Sequence, residues 1–283
     1  MADTAFQIQY RQEAIATFEQ HQSLVRDFVT TEAVIKGNQA TFLVAGSGGA
    51  TAVSRGVNGL IPARADDLTQ NTATLVEWHD LVRKTNFNVF ASQGNQREIM
   101  QKTTMAVINR KIDSDIITLL NTATQDTGAA ATANLQLVIR SQAILGNNDV
   151  PFDGGITALI TPAFLGYLQM TKEFGSAEYV TKKPLDGAQA NWSDSPGFYR
   201  WMNINWITHP NLPGKGTNAE KCFMFHKSAI GHAANKDGMQ TPVGYDEEQA
   251  YSWARASIDM GGVLLQNSGI VVMNHDGSAF AAE

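Results

Sequence analysis

Apolar positions along the chain follow three regimes. Residues 4–29 repeat at helical spacing: Phe6, Tyr10, Ala14 and Phe18 stand four apart, and Ile15, Val25, Phe28 and Val29 continue that side. This pattern predicts an amphipathic N-terminal arm that either caps its own domain or docks on a neighbour. Residues 40–45 and 71–82 are strand candidates. The stretch between them holds Gly46, Gly48, Gly49, Gly56, Gly59 and Pro62 and shows no sustained period. A structureless connection of that length is improbable inside a compact domain. It is predicted to be an extended, hairpin-like arm whose tip is ordered by something outside the subunit. Arg55, Arg64, Asp66 and Asp67 supply both charge signs for such contacts. With Phe6, Tyr10 and Phe18 of the terminal arm, they are the candidate intersubunit contact residues.

The second regime is one long helix over 95–124. Apolar residues recur at Ile99, Met105 and Ala106, Ile112, Ile116, Leu119 and Leu120, and Ala123, with no Pro or Gly between them. Such a helix would span about 45 Å. Arg97, Glu98, Lys102, Asn109, Lys111, Asp113 and Asp115 are assigned to its polar faces. The small-residue segment 121–134 then reads as a linker. Residues 134–240 alternate between helix and strand: a helix over 134–145 ended by Gly146, a buried strand over 156–160, and a helix opened by Thr161-Pro162. Residues 174–198 are loop-rich. Strands are predicted over 203–208 and 222–225, and a short helix over 227–234.

After Asp246-Glu247-Glu248 the period becomes two. Three strands are predicted, separated at Gly261-Gly262 and at Asn267-Ser268-Gly269, which carry hairpin-turn chemistry. Strands in this tail need a cover for one face, and the long helix has the length for it. Residues 88–124 and 246–276 are therefore paired as one domain, interrupted by a compact α/β unit over 129–241. The fold class is α+β.

Composition sharpens this picture. The chain is 43% hydrophobic, enough for a large core, yet only 17% charged, against roughly 25% in typical soluble domains. A charge-poor surface rich in neutral polar side chains suits contact with other protein. The net charge of −6, without a Lys/Arg run, argues against a tight grip on nucleic acid. Cys222 is the lone cysteine, so no internal disulfide is possible. The N-terminus lacks a signal-peptide pattern, and the most apolar segment is broken by Pro162, so a cytosolic product with no membrane span is expected.

Candidate chemistry is thin. Residues 213–217 (Pro-Gly-Lys-Gly-Thr) lack the spacing of a phosphate loop and read as a tight turn. His226 and His232 are six apart, off a common helical face, and His21, His79, His209 and His275 are scattered. Asp246-Glu247-Glu248 reads as an exposed acidic turn rather than a cation site. No nucleophile elbow and no paired-histidine zinc motif occurs. No catalytic residue, cofactor or metal is expected.

The order of elements carries a resemblance. Residues 158–180, with Thr161-Pro162 at a strand-to-helix junction, look like the strand-helix element of an axial domain. Residues 202–216, followed by 221–233, are similar to its strand-turn-strand run. Residues 251–274, with the double glycine, look like closing peripheral strands. With an N-terminal arm, a Gly-rich hairpin and a long helix ahead of them, the chain resembles the major capsid proteins of tailed bacteriophages, the Hong Kong 97 fold.

The resemblance implies an N-terminal arm over 1–37, an extended loop over 38–84, a peripheral domain over 85–128 and 242–283, and an axial domain over 129–241. It implies hexamers and pentamers closing into an icosahedral shell around packaged DNA, which the shell borders without sequence-specific binding. A scaffolding protein, a portal protein at one vertex and a decoration protein are the implied partners. The implied location is the virion capsid, with assembly in the host cytoplasm. Some relatives lock the shell through an extended-loop lysine, but residues 37–83 contain none. Two alternatives stay open: an encapsulin-type compartment shell of the same fold, and a soluble α/β enzyme centred on 134–240 with a folded 46–70 loop.

Overall fold

The computed structural model describes residues 22–31, 33–47, 49–56, 58–59, 61–64, 67–85, 96–175, 198–235 and 238–280. Its contacts form two units. One unit holds residues 77–112 and 235–259 with the chain up to residue 23. The other holds 24–76, 113–234 and 260–283.

In chain order, β1 (Val34–Lys36), β2 (Gln39–Gly46) and β3 (Asp67–Thr74) form an antiparallel three-stranded sheet in that order. The strand predicted over 71–82 is two elements, β3 and β4 (Val76–Thr85), parted at Leu75, whose N–H donates to the Asn38 carbonyl at 2.8 Å. Most of the arm predicted over 4–29 lies outside the described residues. Its described end holds one short 3-10 turn, Arg26–Phe28.

The long helix is α1 (Gln96–Leu120). Met100, Thr104, Ile108, Ile112, Ile116 and Leu120 are all buried, each four residues from the last. At 3.6 residues per turn a four-residue row drifts about 40° per step, so the buried stripe winds round the helix instead of marking one flank. The helix stops before the predicted 124 because its end is capped. The Thr122 hydroxyl donates to the Leu119 carbonyl at 2.6 Å, and Thr124 exchanges hydrogen bonds with the Asn267 side chain.

Residues 121–134 are more than a linker. Thr127 N–H donates to the Val272 carbonyl at 3.0 Å and Val272 N–H to the Gln125 carbonyl at 2.9 Å, with parallel bridges at Asp126–Val272 and Ala131–His275. Next come α2 (Leu135–Asn147), β5 (Ile156–Ile160) and α3 (Pro162–Met170). Asn134 caps α2 by accepting the Leu137 N–H at 2.8 Å, and Thr161 caps α3 by accepting that of Phe164 at 3.2 Å. Pro162 occupies the first helical position, as the sequence predicts. A further helical turn, Lys172–Gly175, follows, and 176–197 lie outside the described residues.

The remaining strands are β6 (Phe198–Trp201), β7 (Ile204–Thr208), β8 (Glu220–His226), β9 (Ile230–Ala234), β10 (Val243–Asp246), β11 (Tyr251–Leu264) and β12 (Ile270–His275). A five-stranded sheet runs β12-β8-β5-β7-β6, parallel only between β5 and β7. β5, β7, β8 and β12 are almost wholly buried, with Trp206, Phe164, Phe223 and Phe225 among the largest buried side chains. β7 starts one residue later than predicted because Met202 and Asn203 both take left-handed backbone (φ 53 and 60) in the β6–β7 turn.

Three expectations are corrected. The short helix over 227–234 is a 3-10 turn, Lys227–Ala229, followed by β9, because His226 caps the turn and Ile230 to Ala234 pair with β11. Gly261-Gly262 is no hairpin turn but lies inside the continuous β11. A side chain at Gly261 would collide with the Thr74 carbonyl, and one at Gly262 with Leu119, so these glycines serve close approach instead of reversal. The last strand, β12, does not extend the β11 sheet: it pairs with β8 over Ile270–His275.

Asp113, assigned by periodicity to a polar face of α1, is 1% exposed. Its carboxylate accepts the N–H groups of Leu24 at 2.9 Å and Val25 at 3.3 Å, and His209 Nε2 stands 3.4 Å away. His209 Nδ1 accepts the Asn211 N–H at 3.1 Å, so the proton of the neutral ring sits on Nε2, facing Asp113. Val25 and Val29 are buried, and Thr30 joins the β9 backbone at Ile230 and His232. Residues 24–30 are thus held by a buried carboxylate at one end and a strand bridge at the other.

His232, on β9, is 1% exposed. Burial pushes its imidazole down to about 4, Arg26 adds to that push, and Asp115 and Asp113 oppose it. The neutral ring belongs to the folded state, and the unfolded chain takes up its proton first. The contribution of His232 is therefore complete above pH 6.5 and is lost as pH falls towards about 4.

Three outcomes follow. Gly261→Val should cost about 1–3 kcal/mol by overpacking, read as a lower urea midpoint; an unchanged midpoint contradicts the close approach. Asp113→Ala should cost about 3–5 kcal/mol and speed amide exchange at Leu24 and Val25; slow exchange there in a folded variant contradicts the tether. Between pH 6.5 and 4 the stability of the wild-type chain should fall by about 3 kcal/mol more than that of His232→Gln. Parallel stability curves would contradict the buried neutral ring.

Candidate assembly surface

The β2–β3 hairpin pairs Gln39 with Thr74 through to Gly46 with Asp67. Directly opposed residues share a face of the sheet. One face carries Ala40 with Ala73, and Phe42 with Asn71. Ala40, Phe42 and Ala73 are buried there in a cluster with Ala233, against Ala33, Leu75, Val263 and Leu265. The Phe42 ring lies over Gly231, where an added Cβ would come within 2.8 Å of it. The absence of a side chain at Gly231 is what lets the ring seat.

The other face carries Thr41 with Thr72, Leu43 with Gln70, and Ala45 with Leu68. Leu43 is 63% exposed and Leu68 58%, and they are diagonal neighbours across the strands. Val34, opposite Thr41 on β1, is 57% exposed. Covering Leu43 and Leu68 would stabilise the covered state by about 1–2 kcal/mol each. The hairpin therefore has a seated face and an open apolar one.

The loop beyond Gly46 continues that character. Val53 and Ile61 are exposed, as are Arg55 and Arg64. Arg64 Nη1 donates to the Ser47 carbonyl at 3.2 Å and ties the two sides of the loop. Gly49 and Gly59 turn the chain at positive φ, with backbone hydrogen bonds from Ala50 to Ser47 and from Gly59 to Gly56. Asp67 opens β3 and is exposed. Phe6, Tyr10, Phe18 and Asp66 lie outside the described residues. Of the predicted contact residues, the hairpin carries Arg55, Arg64 and Asp67, without pairing them to one another in any contact described above. Sequence reasoning missed Leu43, Leu68 and Val34, because an apolar residue in a short strand reads as core until the register shows which face is covered.

Elsewhere, titratable groups sit in structural roles. Glu220, 1% exposed, accepts the Thr161 hydroxyl at 2.7 Å and the Gly216 N–H at 2.6 Å, with His275 Nε2 at 3.7 Å. The phosphate-loop look-alike is thus a tight turn closed on Glu220, and Gly214 takes φ +73 where a side chain would strike the Ala219 carbonyl. Burial pushes the Cys222 thiol up to about 12, so it stays protonated and unreactive. His226 faces Asp153 at 3.2 Å and Ser228 at 2.7 Å. The Gln249 N–H holds the Asp246 carboxyl below its usual range and closes the acidic turn. Among the described residues, no group of three or more His, Cys, Asp or Glu side chains could hold a metal ion, and no helix is long and apolar enough to cross a membrane.

The hairpin offers an open apolar face, and comparison with known proteins places the chain in a family. No curated protein sequence matches the chain. The sequence model of the phage capsid protein family matches residues 2–276. Among solved structures, the chain is similar to one from Mycobacterium phage Che8, with a TM-score of 0.71 at 16% identity, covering 96% of this chain and 98% of that one. The capsid structure of cyanophage P-SCSP1u gives 0.70 at 11% identity, covering 96% and 93%. The capsid of Ralstonia phage GP4 gives 0.66 at 10% identity, covering 100% and 99%. Identities this low speak for the fold, and the family match speaks for the role: the chain belongs to the phage capsid protein family and is a major capsid protein of the Hong Kong 97 fold, a structural protein of the virion shell.

Proposed function

We propose that copies of this chain assemble as hexamers and pentamers into a closed icosahedral shell around packaged DNA, and that the β2–β3 hairpin and the N-terminal arm lie across neighbouring copies. The observation that carries this reading is the open face of the hairpin. Leu43 and Leu68 are each more than half exposed on a strand pair whose opposite face is buried at Ala40, Phe42 and Ala73. Phe6, Tyr10, Phe18, Arg55, Arg64, Asp66 and Asp67 are the proposed contact residues along the arm and hairpin. With no lysine between residues 37 and 83, the hairpin holds its neighbour by noncovalent contact.

The division into arm (1–37), extended loop (38–84), peripheral domain (85–128 and 242–283) and axial domain (129–241) is part of the proposal, with one amendment. β12 pairs with β8, which favours counting the closing strand with the axial sheet. The net charge of −6 suits a wall that borders DNA without gripping it. A scaffolding protein during assembly, a portal protein at one vertex and a decoration protein outside are the proposed partners, with assembly in the host cytoplasm. The subunit performs no catalysis in this scheme.

Replacing residues 48–64 by a short turn should leave a folded, monodisperse subunit whose circular dichroism matches the wild type and which no longer forms particles in electron micrographs. Normal shells from that variant would overturn the assembly role of the hairpin.

A further inference from the structure

Of all the asparagines in the chain, Asn58 alone precedes a glycine. It lies in the loop between β2 and β3, and both Asn58 and Gly59 are exposed. Gly59 takes φ +74, and nothing stands within 4 Å of where its side chain would be. Its N–H donates to the Gly56 carbonyl at 2.9 Å and closes a turn over 56–59. Asn58 thus sits inside an exposed turn, and the backbone nitrogen that follows it belongs to a residue with no Cβ to hinder approach. A single turn hydrogen bond open to solvent gives way readily to water, so it does not lock that nitrogen.

The chemistry open to this pair is attack of the Gly59 nitrogen on the Asn58 side chain. The Gly59 N–H gives its proton to base, and the nitrogen bonds to Cγ of Asn58. The Cγ–Nδ2 bond breaks, and Nδ2 takes a proton from solvent and leaves as ammonia. Water then opens the cyclic imide at either carbonyl. One opening leaves aspartate, the other isoaspartate, in which the main chain runs through the side-chain carbon. Water enters, ammonia leaves, and nothing is oxidised or reduced. Other asparagines are held away from such a step. Asn267, which precedes Ser268, accepts the Thr124 N–H at 3.1 Å and donates to the Thr124 hydroxyl at 2.7 Å. Asn148 donates to the Gln125 side chain at 2.9 Å and to the Ile144 carbonyl at 2.8 Å. Turning either side chain towards the next backbone nitrogen would break those bonds.

We propose that Asn58 is a site of spontaneous deamidation in the folded subunit, passing through the cyclic imide with Gly59 to aspartate and isoaspartate. Water is the only co-reactant. Between residues 47 and 64 the formal charges are Arg55 and Arg64 alone, so the new carboxylate offsets one of them. The modification therefore lowers the positive charge of this loop. The reaction needs no neighbouring copy, so it holds with or without the shell.

The test follows the full-length protein, kept folded in mildly alkaline buffer and sampled over days, with circular dichroism recorded alongside. Trypsin cuts after Arg55 and Arg64 and releases residues 56–64, in which Asn58 is the only asparagine. Liquid chromatography with mass spectrometry should show this peptide converting to two products of equal mass, aspartate and isoaspartate, with isoaspartate in excess. Conversion at Asn58 should run several-fold ahead of conversion at Asn267 and Asn148 in the same digests. Gly59→Ala should slow it several-fold, and Asn58→Gln should abolish it. An Asn58 that keeps its amide while the chain is folded, and converts only in urea, overturns the proposal. So do aspartate without isoaspartate, conversion no faster than at Asn267, or an unchanged rate in Gly59→Ala. Each of these results leaves the shell reading standing, since particle formation is read separately by electron microscopy.

Discussion

Phe42 is seated over Gly231, and that single packing contact decides what the hairpin is for. A strand pair has two faces, and period two guarantees that covering one presents the other. With Ala40, Phe42 and Ala73 spent on the chain's own core, Leu43 and Leu68 are left looking outward. Without the seat, the hairpin would be a tethered loop with no preferred direction. With it, the open face has a fixed orientation, and a neighbour's complementary surface loses less conformational freedom in meeting it. Pre-organisation of this kind is what a subunit needs when the same contact must form many times over.

Buried polar groups keep the surrounding elements in place. Asp113 accepts two backbone N–H groups at the root of the arm, with His209 Nε2 3.4 Å away, so a buried carboxyl group is tied to the chain it meets. Glu220 does the same for the cap of α3 and for the turn at Gly216. These carboxylates are expensive to bury and informative about geometry. Each fixes the meeting of segments far apart in sequence, residues 24 and 113 in one case, 161 and 220 in the other. Charged residues make up only 17% of the chain, a proportion suited to a surface made for protein contact.

Much of this was legible in the sequence. The long helix, the caps at Asn134 and Thr161, the buried strand at 156–160 and the hairpin-like character of the Gly-rich region all follow from local rules, namely period, capping chemistry and turn residues. What was not legible depends on partners distant in sequence. Asp113 looks polar and exposed until residues 24 and 25 are placed beside it. Gly261-Gly262 looks like a turn until Thr74 and Leu119 press on it. Residues 230–234 looked helical because Gly231, Ala233 and Ala234 are small and carry little period, and β11 decides the matter by pairing with them. Leu43 and Leu68 could be assigned to the surface only once the strand register was known. Family membership was legible from the order of elements, because that order survives where residue identity, near 10–16% among the solved structures compared above, does not.

The claim at the centre of the account is that the open face of the hairpin is an interface in the assembled shell. Hydroxyl-radical footprinting read by mass spectrometry, on free subunits and on purified particles, addresses it at single residues. Leu43 and Leu68 should label readily in the free subunit and be strongly protected in the particle, while the buried Phe42 is protected in both. Equal labelling of Leu43 and Leu68 in subunit and particle would contradict the account.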